Sequence, residues 1–242
     1  MTKPTTSHSK PSLFLTTSWT LVCDAARGGD TAAVSALGAL FSTYWPPLYR
    51  YVRRQGQSTQ DAEDLVQGFF AELLQQDGLR LADRDRGRFR MFLLAALKNH
   101  MAGEWQRAHR QKRGGFATHL AIAWQDAETG LSMEPADGRS PDKLYDHDWA
   151  VTVLDKVLDD LEREDDGLDF ARWKPFLSMG SGKLPYAEIA ARFGMTEGAA
   201  RVAVHRLRKR YRQRLREEIG RTLADESLVD EEMTSLFAAL SD

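Results

Sequence analysis

The chain has 242 residues, of which 42% are hydrophobic and 28% are charged, and its formal net charge at pH 7 is -2. This composition is sufficient for one large or two small folded domains and excludes fibrous and low-complexity classes. Cys23 is the only cysteine, so an internal disulfide is excluded and a reducing compartment is expected. No apolar run approaches the ~20 residues that span a bilayer, and the N-terminus lacks a secretory signal. We therefore expect a cytoplasmic protein without a membrane span.

The near-neutral total charge conceals a block arrangement. Basic blocks at residues 84–113 and 171–216 flank an acidic block at residues 114–170. A basic surface attracts a polyanion, so the two basic blocks favour nucleic acid as a partner.

Residues 1–18 are polar and unpatterned, which predicts a disordered tail. Asp30 is placed to cap a first helix. Pro46 and Pro47 are expected to end that helix and open another one, which stops at Gly56.

The next predicted helix begins at Ser58 or Thr59, either of which can cap it, and ends before Gly78. Its apolar stripe consists of Ala62, Leu65, Val66, Phe69 and Leu73. Its start carries exposed polar side chains, namely Asp61, Glu63, Asp64 and Gln67. Acids in a first turn are also favoured by the helix dipole, so the residues alone leave a protein-binding role and a purely structural role open.

A third helix is predicted over residues 88–109, with Phe89, Phe92, Leu93, Ala96, Leu97 and Met101 on its core side. Toward its end the pattern becomes polar, aromatic and basic, with Lys98, Asn99, Trp105, Arg107 and Arg110. Basic residues beside an exposed aromatic ring suit single-stranded or melted nucleic acid, because arginines hold phosphates while the ring stacks on an unpaired base. Burial of Trp105 in the core is the alternative.

Residues 114–147 are rich in Gly, Pro, Ser and acids, which predicts a linker. Two helices follow, at residues 149–163 and 170–177. A helix at residues 186–193 then ends at Gly194, and Thr196 can cap the next helix. Ala200, Val204, Leu207 and Tyr211 form the packing seam of that helix, and the opposite face carries Arg201, Val202, His205, Arg206 and Lys209.

Two helices in this order form a helix-turn-helix, whose second helix enters a major groove. Residues 198–216 contain Lys and Arg but no acid, so the second helix repels itself unless a polyanion lies nearby. A basic helix that is merely solvated is the alternative, but such helices usually mix both signs of charge.

Residues 217–242 are acidic yet keep apolar positions, which predicts one or two tail helices. We hypothesise that this extension folds back on a basic surface and restrains DNA binding.

Three segments together resemble a known family. They are DAEDLVQGFFAELL at residues 61–74, FRMFLLAALKNHMAGEWQRAHRQKR at 89–113 and PYAEIAARFGMTEGAARVAVHRLRKR at 185–210. In this order they resemble the diagnostic segments of an extracytoplasmic-function-type (group IV) bacterial RNA polymerase sigma factor, over about residues 19–216. The resemblance implies an all-α fold with two small helical domains. The region 2-like domain spans residues 19–113, and the helix-turn-helix, region 4-like domain spans residues 148–216. The acidic linker, 114–147, joins them, and a C-terminal helical extension, 217–242, follows.

The resemblance also implies partners and contact residues. The partners are core RNA polymerase and promoter DNA, and neither a cofactor, a metal nor an enzymatic activity is expected. The implied polymerase contacts are Asp61, Glu63, Asp64 and Gln67. The implied minus-ten contacts are Lys98, Asn99, Trp105, Arg107 and Arg110. The implied minus-thirty-five contacts are Thr196, Arg201, Val202, His205, Arg206 and Lys209.

A helix-turn-helix regulator that binds DNA without polymerase is the alternative function. The residues leave the promoter sequence open, and also whether an anti-sigma factor or another regulator binds the chain.

Overall fold

The computed structural model describes residues 31–75, 88–110, 138–164, 170–178, 185–223 and 226–241. This part of the chain consists of helices and turns, with no strand among its residues. The predicted tail at residues 1–18, the Asp30 cap and the linker residues 114–137 lie outside it. The helices are α1 (Thr31–Arg54), α2 (Thr59–Gln75), α3 (Phe89–Arg110), α4 (Pro141–Glu164), α5 (Phe170–Trp173), α6 (Pro175–Ser178), α7 (Tyr186–Phe193), α8 (Glu197–Gly220) and α9 (Val229–Ser241), with a 3-10 helix at Glu226–Leu228.

Helix α1 runs unbroken through Pro46 and Pro47, so the predicted helix break there is wrong. A proline inside a helix loses one backbone hydrogen bond and crowds the preceding turn. Both halves of α1 nevertheless pack into the same core, where the rings of Tyr44, Trp45 and Tyr49 are at most 1% exposed. This shared packing holds the two halves in line and offsets the lost bonds.

Helices α2 and α3 follow the sequence prediction closely. The Ser58 hydroxyl accepts a hydrogen bond from the Asp61 backbone N–H at 3.1 Å, which is the predicted cap at the start of α2. The two helices are also joined by His100, whose Nδ1 lies 2.6 Å from Glu72 Oε2. Together with α1 they bury their apolar sides in one core, whose members from α2 and α3 are Ala62, Val66, Phe69, Phe70, Leu73, Phe89, Leu93, Leu94 and Leu97.

Helix α4 begins at Pro141, eight residues before the predicted start at Trp149. It packs along α1, and Tyr145 and Trp149 are at most 1% exposed within the same core. The Tyr145 hydroxyl donates a hydrogen bond to the Arg90 carbonyl of α3 at 3.0 Å. The predicted boundary between residues 147 and 148 therefore lies inside a helix that belongs to the main core.

The predicted helix at residues 170–177 is two short helices, α5 and α6, with Lys174 between them. Pro175 explains the interruption, because a proline disfavours helical backbone at the residue before it. The predicted tail helix is present as α9, and its Val229, Met233 and Leu236 are buried in the main core.

Candidate nucleic-acid interface

Helices α7 and α8 are joined by a tight turn that local chemistry determines. Gly194 has φ 64°, a left-handed conformation that glycine adopts without strain, and it ends α7. The Thr196 side chain then accepts a hydrogen bond from the Ala199 N–H at 3.2 Å and caps α8. This cap was predicted, and it means that the Thr196 hydroxyl already has a structural function.

A small apolar cluster fixes the angle between α7 and α8. Its buried members are Phe176, Ile189, Ala190, Ala200 and Val204, and Trp173, Tyr186, Phe193 and Met195 pack around it. The Trp173 and Phe193 rings stack with their centroids 4.0 Å apart. Leu207 and Tyr211, predicted for the same seam, are half-buried against the main core instead.

The opposite side of the first half of α8 is open to solvent, as the sequence predicts. Val202 is 50% exposed, and His205, Arg206 and Lys209 are exposed as well. Their spacing of three, one and three residues places them on one face of the helix. The result is a polar and basic strip with an apolar contact at Val202.

Arg201 borders this strip but has partners within the chain. Its Nη2 lies 2.8 Å from Glu197 Oε1, and its guanidinium group lies 4.6 Å from the centre of the Tyr186 ring. The hydrogen bond that Arg201 donates to the Glu197 carboxylate raises the pKa of Arg201. Its side chain remains 61% exposed, so the pair with Glu197 is a surface pair.

The basic residues of α8 differ in whether they have internal partners. Glu164 of α4 pairs with Arg210 at 3.0 Å and with Arg214 at 2.7 Å, and Asp230 pairs with Arg216. Arg208 donates a hydrogen bond to the Phe176 carbonyl at 2.9 Å. Arg206, Lys209 and Arg212 have no hydrogen-bond or ion-pair partner in the described part of the chain. The self-repulsion expected from the sequence is therefore partly relieved by acids from other helices.

The predicted minus-ten residues lie along the second half of α3. Trp105 is 65% exposed, which excludes the core position for this ring in the described structure. Lys98 and Trp105 are seven residues apart and project from one side, whereas Arg107 is nine residues from Lys98 and projects from the opposite side. Asn99 is exposed, and Arg110 is the last residue of α3. The structure therefore places Arg107 away from the side that Lys98 and Trp105 share.

Lys98 and Arg107 both have acidic partners. The Lys98 ammonium donates to both carboxylate oxygens of Asp142 at 2.8 Å and lies 5.7 Å from the centre of the Tyr51 ring. The hydrogen bond to Asp142 raises the pKa of Lys98. Arg107 pairs with Glu104 at 2.9 Å on the same helix. Asp142 and Tyr51 were not among the predicted site residues.

The predicted polymerase contacts lie at the start of α2. Asp61 and Asp64 are exposed and Glu63 is partly exposed. Gln67 is only 6% exposed, so its predicted place on the exposed start is wrong. Gln67 lies one turn further along α2 than Glu63 and on nearly the same face, so its burial comes from what packs against that turn and not from its position around the helix.

The described residues contain neither a candidate membrane-spanning helix nor a candidate metal site. None of the helices among them has the length and apolarity needed to cross a membrane. No group of three His, Cys, Asp or Glu side chains in the described ranges is arranged to hold a metal ion.

Comparison with protein families adds one match. Residues 40–114 match the family model described as Sigma-70 region 2. The matched segment covers less than half of the chain and contains α2 and α3, which hold the predicted polymerase and minus-ten residues. No curated protein and no solved structure matches the chain.

Proposed function

We propose that the chain is an extracytoplasmic-function-type sigma factor. It binds core RNA polymerase in the cytoplasm, contacts promoter minus-ten and minus-thirty-five elements, and starts transcription of a specific set of genes. The observation that carries the proposal is the match of residues 40–114 to Sigma-70 region 2. The exposed basic strip on α8, far along the chain from this match, supports the second DNA contact.

Polymerase binding is assigned to the start of α2. Asp61, Glu63 and Asp64 give this end of the helix a negative charge that complements a basic surface on the polymerase. Gln67 is buried, so its contribution is to pack α2 against its neighbours and not to contact the polymerase.

Minus-ten binding is assigned to the second half of α3. The exposed Trp105 ring offers a face on which an unpaired base can stack, a contact worth ~1–3 kcal/mol per base. Lys98, Arg107 and Arg110 are the basic residues assigned to this contact, and phosphate must replace the acidic partners of Lys98 and Arg107. Asn99 offers an amide to a base edge. Stacking on an unpaired base favours the melted form of the promoter over the duplex.

Minus-thirty-five binding is assigned to the helix-turn-helix formed by α7 and α8. An α-helix about 10–12 Å wide fits a major groove of about 12 Å. Arg201 and Arg206 are then within reach of base edges, Val202 contacts a thymine methyl group, and Lys209 contacts phosphate. The Arg201–Glu197 pair is exposed, and such pairs contribute only ~0–1 kcal/mol, so DNA can replace Glu197 as the partner.

A charge reversal at the start of α2 tests the polymerase assignment. Asp64→Arg should abolish association with core RNA polymerase and leave the fold unchanged, because Asp64 is exposed and has no partner in the described part of the chain. The measurement is co-purification with purified core enzyme, with circular dichroism to check folding. Asp159→Arg, the same change at an exposed site on α4, is the matched control.

Retained co-purification of Asp64→Arg would contradict the docking assignment. Failure of the unaltered chain to bind core enzyme, combined with dimeric binding to a palindromic DNA site, would instead favour a polymerase-independent regulator.

A further inference from the structure

Helix α9 contacts the two helices that carry the proposed DNA-binding residues, at the ends of those helices that lie away from these residues. Its first turn pairs with arginines near the start of α3 and with Arg216 near the end of α8. We propose that α9 is an intramolecular clasp, which holds α3 and α8 in one closed arrangement and must be released before both contact the same promoter. This inference rests on the proposed function and adds a regulatory role for the C-terminal extension.

A buried ion pair fixes the position of α9 against α3. Arg90 Nε lies 2.7 Å from Glu232 Oε1, and the two side chains are 3% and 2% exposed. Arg90 also pairs with Asp146 of α4 and lies 4.4 Å from the centre of the Trp149 ring. A buried ion pair contributes little net stability but strongly disfavours alternative packings that separate the charges. The arrangement therefore selects one docked position of α9.

Buried Glu232 also pairs with Arg88 Nε at 2.5 Å, whereas the contacts of Glu231 and Asp230 lie at the surface. Arg88 Nη2 pairs with Glu231 Oε1 at 2.8 Å, with side-chain exposures of 29% and 67%. Asp230, which pairs with Arg216, is 81% exposed. Exposed ion pairs are weak and are screened by salt. The apolar anchors of α9 in the described core are Val229, Met233 and Leu236, with the half-buried Ala239 and Leu240 beside them. The clasp requires this small set of contacts to open as a local unit while the rest of the core stays folded.

The closed arrangement limits how far apart the two DNA-binding surfaces lie. Minus-ten and minus-thirty-five elements are separated by about 25 base pairs, which is about 85 Å at ~3.4 Å per base pair. The longest helices in the described ranges have 24 residues, which corresponds to about 36 Å. One core contains residues of α1, α4, α8 and α9. This packing opposes the separation of the two DNA-binding surfaces that binding to one promoter requires.

The Lys98–Asp142 ion pair also favours the closed arrangement. Asp142, in the first turn of α4, holds Lys98 with both carboxylate oxygens at 2.8 Å. Lys98 is one of the proposed minus-ten residues, so in the closed arrangement a carboxylate occupies the place of a phosphate. Opening of the α1–α4 packing releases Lys98 at the same time as it frees α8.

Neutral substitutions in the full-length chain test the clasp. The variant Asp230→Asn/Glu231→Gln/Glu232→Gln keeps side-chain shape but removes the charges that face Arg88, Arg90 and Arg216. Loss of three negative charges raises DNA affinity in general. The control is therefore Asp155→Asn/Asp159→Asn/Glu162→Gln, which removes three negative charges from α4 without altering α9.

The measurement is promoter affinity of each variant in complex with core RNA polymerase. We expect the α9 variant to bind promoter DNA at least about fivefold more tightly than the control, the lower end of typical coupling between sites. Equal affinities would overturn the clasp alone. No promoter-specific binding by any variant or by the unaltered chain would overturn the proposed function as well.

A cross-link provides the opposite test if the neutral variant fails to fold. Arg88→Cys/Glu231→Cys in a Cys23→Ser background, joined by a short bis-maleimide, locks α9 on α3. The cross-linked chain should keep core polymerase binding and lose promoter binding relative to the same protein before cross-linking. Unchanged promoter binding after cross-linking would overturn the clasp.

Discussion

The two halves of α8 have similar basic sequences but different surroundings. In the first half, residues 197–209, His205, Arg206 and Lys209 are exposed and have no partner in the described part of the chain. In the second half, residues 210–220, Arg214 pairs with Glu164 and Glu217, and Ile219 is 1% exposed. Apart from Arg208, which is held by the Phe176 carbonyl, and the exposed Arg212, the basic run divides into a first half that is available to DNA and a second half that attaches the helix to the core.

This difference refines what a run of basic residues indicates. Positive charge alone does not distinguish DNA binding from attachment to the core, because an arginine that neutralises an internal acid contributes little to the attraction of a polyanion. The unpaired cations on one face are the better indicator. Two of the following three predictions use one half of α8 as the control for the other.

Apolar substitutions in the two halves of α8 should differ most strongly in their effect on folding stability. Ile219→Ala should lower the free energy of unfolding by ~2–5 kcal/mol, since it leaves a cavity in the main core. Val202→Ala, at a site that is 50% exposed, should change it by less than ~0.5 kcal/mol. Urea denaturation followed by circular dichroism measures both. Similar losses in the two variants would contradict the division.

Arg201 should determine base preference in the first half. If it contacts a guanine with two hydrogen bonds, Arg201→Ala should lose ~1–3 kcal/mol of discrimination at one base position. Arg201→Lys should not restore it, because lysine lacks the planar pair of donors. Binding measurements on a set of promoter variants test this, and an equal loss of affinity on all DNA sequences would refute base contact.

Loss of a single charge should have the smallest effect. Lys209→Ala should weaken binding evenly across sequences and lower the salt dependence of affinity by about one unit. Arg214→Ala should leave that salt dependence unchanged and cost only ~0–1 kcal/mol of stability, because Arg214 is 40% exposed in its pairs with Glu164 and Glu217. Affinity titrations at several salt concentrations distinguish the two, and identical slopes for both variants would contradict the division.

Local chemistry made the turn between α7 and α8 predictable. Gly194 takes the left-handed backbone that ends a helix, and Thr196 caps the next helix. Each of these features depends on the intrinsic chemistry of one residue. The start of α4 was equally available to prediction. The Ser140 hydroxyl accepts a hydrogen bond from the Lys143 N–H at 3.4 Å, and Pro141 is the first helical residue, a combination typical of a helix start. The acidic composition of the surrounding residues obscured it.

Other features depend on packing between distant segments. Lys98 meets Asp142 across 44 residues of sequence, and Arg90 meets Glu232 across 142 residues. Neither pair follows from periodicity, because each requires α4 or α9 to lie against α3. The continuity of α1 through Pro46 and Pro47 has the same origin, since the core that holds both halves overrides the local preference of proline.

Transcription in vitro tests the central claim most directly. Purified core RNA polymerase would be combined with the chain and a genomic promoter library, and the starts of the transcripts would be sequenced. We predict transcripts that begin downstream of a shared pair of minus-ten and minus-thirty-five elements, and their loss with Asp64→Arg. Transcript starts that are the same with and without the chain would contradict the proposal that it is a sigma factor.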